Sequence, residues 1–453
     1  MESENYNSPQ KHEEYLAKFN INPDRAMLTL ILSIIVDTFG FSMILPLLPG
    51  IAIGLGASYF MIGLFISSNA VAILIGGPIW GKLSDKFGRK SVLMISQVGT
   101  GIAFLILASA NSIEVFLLSR VIDGIFSGQT PIVSAYVSDI TTPQMRASKT
   151  GKLMVGYTFG MIFGPLIGGV LGVINWRFPA IFASALTILS IILTYKVLVE
   201  SMPRERRDDL KAQRKQQKMS SKDPRTFWNK EVSVRFLQRF LVSFTYMIFT
   251  TSYALIIFKR YSTNPLVIST IIAVAGISVM IYGFNMRRII NKIGEKRILF
   301  ICLGLYMLVW VISPYLSELW MMYVFMIPFG FCIAFLGPLI SANITKVVDA
   351  DKQGVVGGWA ANIAAISQTV TPLISTGYLQ LGGLALGLIY LDSYELIGFT
   401  NFIITVALFI IVFIDVKNHP KLYFYERIRK KRKKRRKKKQ KIKKTISKVS
   451  DDQ

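Results

Sequence analysis

Apolar runs of about 20 residues, recurring along the whole chain, constrain its fold more than any other feature. A helix rises about 1.5 Å per residue, so such a run crosses a hydrocarbon core about 30 Å thick. Twelve runs are read, at 26–49, 58–80, 91–110, 113–138, 147–173, 176–199, 235–257, 264–286, 298–316, 319–343, 353–380 and 396–416. Hydrocarbon offers no partner to an open backbone, so each is expected to be a helix. Of 453 residues, 52% are hydrophobic and only 17% charged, where a soluble domain carries about a quarter. The expected fold class is an all-α membrane protein with 12 transmembrane helices in two pseudo-symmetric six-helix halves.

A net charge of +26 would suit a nucleic-acid binder, but its location argues otherwise. Residues 427–448 hold 16 basic side chains and no acidic one; taking them from +26 leaves +10, spread over short loops. Loops 50–57, 111–112, 317–318 and 381–395 contain no Lys or Arg, whereas 81–90, 139–152 and 287–297 are basic. That alternation is the positive-inside pattern, and it puts both termini and segment 200–234 in the cytoplasm of a multi-pass protein of the cell membrane. Arg177, Lys259 and Arg260 break it locally. The basic tail is expected to lie on anionic lipid, with RNA the less favoured partner.

The expected organisation is a cytoplasmic tail (1–24), a first six-helix half (25–199), a cytoplasmic linker (200–234), a second half (235–417) and a basic tail (418–453). A weak repeat supports the halves. Gly88 and Gly294 are 206 apart, as are Gly124 and Gly330; Pro131 and Pro338, and Pro165 and Pro372, are 207 apart. Cys302 and Cys332 lie inside apolar runs, and His12 and His419 in polar flanks, so neither a metal site nor a histidine relay is expected. More than 20 polar residues precede the first run, which argues against a cleavable signal peptide. No Ser/His/Asp, metal-ligand or phosphate-loop constellation is legible, so an enzyme is not expected.

Three constellations carry chemistry. In Gly81-Lys82-Leu83-Ser84-Asp85-Lys86-Phe87-Gly88-Arg89-Lys90, the glycines allow a tight turn, Asp85 suits a helix N-terminus and Arg89 suits a bidentate carboxylate pair. In the fifth run, Gly151 precedes Gly160, Gly164-Pro165 and Gly168-Gly169; Gly160, Gly164 and Gly168 share one helix face and admit a close neighbour. Asp37, Arg120 and Asp123 lie inside apolar runs, where each costs about 2.5–3.5 kcal/mol unless paired or in a cavity. Arg120 and Asp123, three apart, can pair locally. Asp37 has no partner on its own helix.

These strings resemble the major facilitator superfamily over roughly residues 26–416. The first is similar to the hallmark loop of that family, which implies a gate latch of Asp85, Arg89 and Asp139 facing the helix start near Gln353-Gly354. The second is similar to the motif marking its antiporter branches. Asp37-Thr38-Phe39-Gly40 followed by Pro46-Leu47-Leu48-Pro49 looks like the first helix of tetracycline-type drug:proton antiporters. Arg120-Val121-Ile122-Asp123-Gly124 looks like the fourth-helix arginine motif, in which the position of Asp123 is usually uncharged. The repeat copy keeps Gly294 but carries Asn291 and Glu295 for the acid and the arginine, so the latch is expected on one side only.

The resemblance implies a monomeric secondary transporter that exports a small organic molecule by proton antiport, with no cofactor beyond the proton gradient. Asp37, Arg120 and Asp123 are the expected coupling residues, all in the N-terminal half. The C-terminal half is expected to supply apolar and aromatic contacts. Candidate cavity residues are Asn69, Gln129, Tyr157, Tyr246, Phe325, Phe329, Asn362 and Gln368. Uptake by symport or facilitated diffusion, and a non-transporting membrane sensor or scaffold, are the alternatives.

Overall fold

The computed structural model describes residues 9–208, 228–348, 353–386 and 389–420. The middle of the linker and the basic run 427–448 lie outside the described residues. The first half contains α1 (Pro9–Lys18), α2 (Pro23–Ile44), α3 (Leu48–Gly54), α4 (Tyr59–Phe87), α5 (Arg89–Ala108), α6 (Ile113–Phe126), α7 (Gln129–Asp139), α8 (Pro143–Ile174) and α9 (Phe178–Val197). The second contains α10 (Lys230–Arg260), α11 (Pro265–Ile293), α12 (Glu295–Ile312), α13 (Leu319–Thr345), α14 (Gln353–Leu381) and α15 (Ser393–Asn418).

Ten of these are long and apolar enough to cross a membrane: α2, α4, α5, α8 to α13 and α15. The two remaining expected positions hold helix as well. The eleventh is α14, and the fourth is split into α6 and α7. The split frees the carbonyls of Ile125 and Phe126, and side chains take them up: Trp80 Nε1 donates to Ile125 O and Ser96 Oγ to Phe126 O. A broken helix inside a bundle persists only when such groups are satisfied.

Local chemistry sets the ends. Asn22, Ser58, Ser112, Asn229 and Asn264 each accept a backbone N–H at the start of a helix. The first run is shorter than read, because Pro46 ends α2 at Ile44. The 81–90 stretch is mostly not a loop. α4 runs through Phe87, and only Gly88 separates it from α5. Charge marks what leaves the membrane, not what leaves the helix. Two of the three basic side chains that broke the loop pattern bond carbonyls at chain turns, Arg177 to Ala108 O at the end of α5 and Arg260 to Pro314 O, while Lys259 lies over the Tyr59 ring. One short antiparallel hairpin, Gly383–Leu386 with Ile389–Asp392, interrupts the otherwise helical fold in the 381–395 loop.

Within the first half, α2 packs on α8, α4 on α6 and α5 on α9; within the second, α10 packs on α14, α11 on α13, and α12 on α13 and α15. The halves meet through α4 against α14 and α8 against α11.

Gly88 and Gly294 have φ of +104° and +101°, and each ends one helix and starts the next. A side chain there costs about 1–2 kcal/mol from backbone strain alone. At Gly88 an added Cβ would also lie 2.5 Å from Glu200 Oε2, while at Gly294 it would meet nothing within 4 Å. Gly88→Ala should therefore lower the melting temperature of the detergent-purified protein more than Gly294→Ala.

Candidate functional site

A polar network runs through the middle of the first half. Asp37, half-buried on α2, accepts a hydrogen bond of 2.8 Å from Gln129 Nε2 at the start of α7. Gln129 Oε1 in turn accepts from Ser33 Oγ at 3.2 Å. Gln97 on α5 continues the chain: its Nε2 lies within 2.9–3.3 Å of Ser33 Oγ, Ser190 Oγ and Thr194 Oγ1. Four helices are thus joined by neutral donors and acceptors around one carboxylate. Asp37 is also within electrostatic reach of Asp123 and of Tyr157 on α8, and Tyr157 of Tyr246 on α10. That last step crosses from one half to the other.

Arg120 pairs with Asp123 on its own helix, as their spacing allows, and not with Asp37. Its Nη1 lies 3.5 Å from Asp123 Oδ2 one turn along α6, and both side chains are about 5% exposed. Asn69 fixes the pair from α4, donating to Arg120 O at 2.9 Å and Asp123 Oδ2 at 3.0 Å. Positive and negative charge cancel locally there, which leaves Asp37 as the carboxylate with a neutral partner.

The glycines of α8 set the distance to α2. An added Cβ at Gly160 would lie 2.6 Å from Thr38 Cβ, and one at Gly168 would run into Met43 O. Ser42 Oγ donates to Gly160 O at 2.9 Å. Pro165 sits inside α8 beside this face. The stripe therefore seats the helix that carries Asp37 within its own half. Gly169 points elsewhere, onto Pro265 and Ser269 of α11.

At the basic end, Arg89 binds two carboxylates, Asp85 at 2.7 Å and Asp139 at 3.1 Å, with 7% of its side chain exposed. The latch therefore ties the ends of α4, α5 and α7. The second half has one too, contrary to the one-sided expectation. Glu295, the first residue of α12, pairs with Lys346 at the end of α13, and Lys346 Nζ also donates to Asn343 Oδ1 at 2.9 Å. The positions match Arg89 and Asp139 across the repeat, and the charges are exchanged.

The C-terminal half also holds buried charge, although the expected coupling residues all lie in the N-terminal half. Arg235 is 0% exposed and donates to Asp415 Oδ1 at 3.1 Å, joining the start of α10 to the end of α15. His419, read as a flank residue, lies 3.1 Å from Asp415 and 3.3 Å from Glu231.

The halves form a wedge. Gly63 of α4 packs on Pro372 and Thr376 of α14, and Gly169 of α8 on Pro265 and Ser269 of α11. A step of 18 residues is five turns and returns to the same helix face about 27 Å away. That step leads from Gly63 to Gly81, from Thr376 to Gly358, from Gly169 to Gly151 and from Pro265 to Gly283. At all four of those glycines a Cβ would meet nothing within 4 Å. The halves touch at the neutral end and part at the basic end.

The Major Facilitator Superfamily model matches residues 30–372 and 235–450. The chain belongs to the Major Facilitator Superfamily. Among curated relatives, Multidrug resistance protein 2 of Bacillus subtilis (strain 168) is 26% identical over 362 residues, spanning 79% of this chain and 90% of that one. The class H tetracycline resistance protein of Pasteurella multocida is 25% identical over 359 residues, spanning 78% and 88%. Solved structures of the same fold include a bacterial homologue of the human lysosomal transporter Spinster, at TM-score 0.67 and 15% identity over 88% of this chain and 97% of that one. The human organic anion transporter MFSD10 aligns at TM-score 0.64 and 20% identity, over 86% and 99%. As a member of this superfamily the chain is a transporter and not an enzyme, and it is an integral multi-pass membrane protein.

Within that superfamily fold, the expected residues fall into separate groups. Asp37 and Gln129 are hydrogen-bonded, and Asn69, Arg120 and Asp123 form a second cluster; Tyr157 and Tyr246 lie on α8 and α10. Phe325 and Phe329 do not join them. Both are buried in the C-terminal core, where Phe325 stacks on Tyr253, and Phe329 packs on Phe249, Tyr306 and Trp310. Asn362 and Gln368 are exposed on α14.

Lys346→Glu should lower the melting temperature, because it leaves two carboxylates facing at the end of α13. The pair Lys346→Glu with Glu295→Lys should recover most of that loss. Gly164→Val, which forces a side chain into Ser42, should cost about 1–3 kcal/mol in the same measurement.

Proposed function

We propose that the chain exports a small amphipathic organic molecule in exchange for protons. It does so by alternating access from a cytoplasmic basic end to an outer neutral end. Asp37 carries this reading. It is a half-buried carboxylate inside a membrane helix, and its hydrogen-bond donor is a neutral amide, that of Gln129. Such a group takes up and gives back a proton without breaking an ion pair. Each proton then changes the charge beside the boundary between the halves by one unit.

The wedge, open at the basic end, supports loading from the cytoplasm. The names of the curated relatives, multidrug and tetracycline resistance proteins, support a drug-like substrate and an outward direction. An inward-moving proton supplies about 2.3 kcal/mol per 100 mV. The coupling ion is the proton, and the unit is a monomer with its basic tail on anionic lipid.

In acidified inside-out vesicles, adding substrate to the wild-type protein should raise the lumenal pH. Asp37→Asn should abolish that response while inserting normally. An unchanged, gradient-dependent response in this variant would overturn the reading. Alternating access makes a second demand. Paired cysteines at Gly81 and Gly358, and at Gly151 and Gly283, should cross-link only when the basic end closes. A pair at Gly63 and Thr376 should cross-link in the state seen here.

A further inference from the structure

The gate triad of Asp85, Arg89 and Asp139 is covered by two segments that lie outside the superfamily's hallmark strings. One is the stretch 198–207 that follows α9; the other is α1. Glu200 accepts hydrogen bonds from the backbone N–H groups of Arg89 and Lys90 at 2.7 and 3.1 Å, closing the exposed start of α5. Ser201 Oγ donates to Asp139 Oδ2 at 3.1 Å, and Arg206 lies 3.8 Å from the other oxygen of the same carboxylate. Arg207 donates to Lys86 O at the end of α4. The stretch therefore touches the ends of all three helices that the gate joins.

α1 lies over this stretch. Tyr15 is 5% exposed; its hydroxyl donates to Ser201 O at 2.7 Å, and its ring stacks under the Arg206 guanidinium at 4.5 Å. Lys18 pairs with Glu205 at 2.9 Å. Asp139 offers Oδ2 to Arg89 in the carboxylate orientation seen here. Ser201 and Arg206 hold it, and Tyr15 holds both.

We infer that α1 is a working part of the gate, and that Tyr15 and Arg206 are positioning residues which set how firmly the basic end closes. Tyr15 acts through Arg206, and Arg206 through Asp139. A looser Asp139 gives Arg89 a poorer partner, and the closed basic end is populated less. This rests on the gate reading of Arg89 and Asp139.

The test is the labelling of a cysteine placed at Gly358, on the open face of α14, by an impermeant maleimide in inside-out vesicles of the full-length protein. Cys302 and Cys332 are buried and do not compete. Tyr15→Leu and Arg206→Gln should each raise the labelling rate about fivefold, in keeping with the loss of one partly buried cation–π contact. Turnover should fall in step, while the half-saturating substrate concentration stays within about twofold, since no substrate contact changes. Tyr15→Phe keeps the ring but loses the hydroxyl's bond to Ser201, and should label between wild type and Tyr15→Leu. Lys18→Glu should shift labelling the same way as Tyr15→Leu, and Lys18→Glu with Glu205→Lys should reverse it; this exposed pair tests the idea even if Tyr15→Leu does not insert. Unchanged labelling in Tyr15→Leu, equal effects of Tyr15→Phe and Tyr15→Leu, or no reversal by the double swap would each overturn the inference. Arg89→Gln separates the two levels. If it too leaves labelling unchanged, the gate reading fails; if it raises labelling and Tyr15→Leu does not, only the role of α1 fails.

Discussion

Helices in hydrocarbon gain little by burying apolar side chains against one another, because lipid tails are equally apolar. Close backbone approach and polar contacts between helices have to supply what the hydrophobic effect supplies in water. Several of the closest helix contacts in this bundle follow that rule. α8 reaches α2 through Gly160, Gly164 and Gly168. α4 reaches α6 through Gly76 and Gly124, each seated on a backbone carbonyl of the other helix. The halves meet through Gly63 and Gly169. The polar part is the chain from Asp37 through Gln129, Ser33 and Gln97 to Thr194, which fixes α2, α5, α7 and α9 around the carboxylate.

The two charge latches occupy equivalent places and are physically unequal. A helix N-terminus favours negative charge and a C-terminus positive. In the second half, Glu295 begins α12 and Lys346 ends α13, so the pair and both helix dipoles agree. In the first half the charges are reversed: Arg89 begins α5 and Asp139 ends α7, each at the end that opposes it. Further groups make up the difference, Glu200 at the start of α5 and Arg206 beside Asp139. The first latch draws on groups from outside its helices; the second is joined by Asn343 of its own helix.

Much of this was legible in the sequence, and the limits have physical causes. Length and hydropathy located the membrane helices, because a spanning segment has no other way to satisfy its backbone. Their ends were less legible. α4 and α11 run on through charged residues to Phe87 and Ile293, and charge does not stop a helix. Asp37 stood out as an unpaired charge in an apolar run, but its donor Gln129 lies 92 residues away and no periodicity connects them. Arg235 and Asp415 stand at the edges of their runs, 180 residues apart, and nothing in the sequence connects them. Phe325 and Phe329 are plain as aromatics in sequence; which face of α13 meets the core is decided by Tyr253, Tyr306 and Trp310 on other helices. The second latch was missed because Glu295 read as the loss of an arginine rather than as half of an exchanged pair.

The five-turn spacing between the packed and open glycine positions has a mechanical consequence. Gly63 and Gly169 lie at one end of a lever about 27 Å long, with Gly81 and Gly151 at the other. A rotation of about 15° at the fulcrum carries the far end through about 7 Å, more than half the roughly 10–12 Å diameter of a helix with its side chains. Bulk at Gly63 or Gly169 therefore acts at a distance. It changes the stiffness of the hinge and the speed of its swing, while the surfaces that meet the cargo keep their shape.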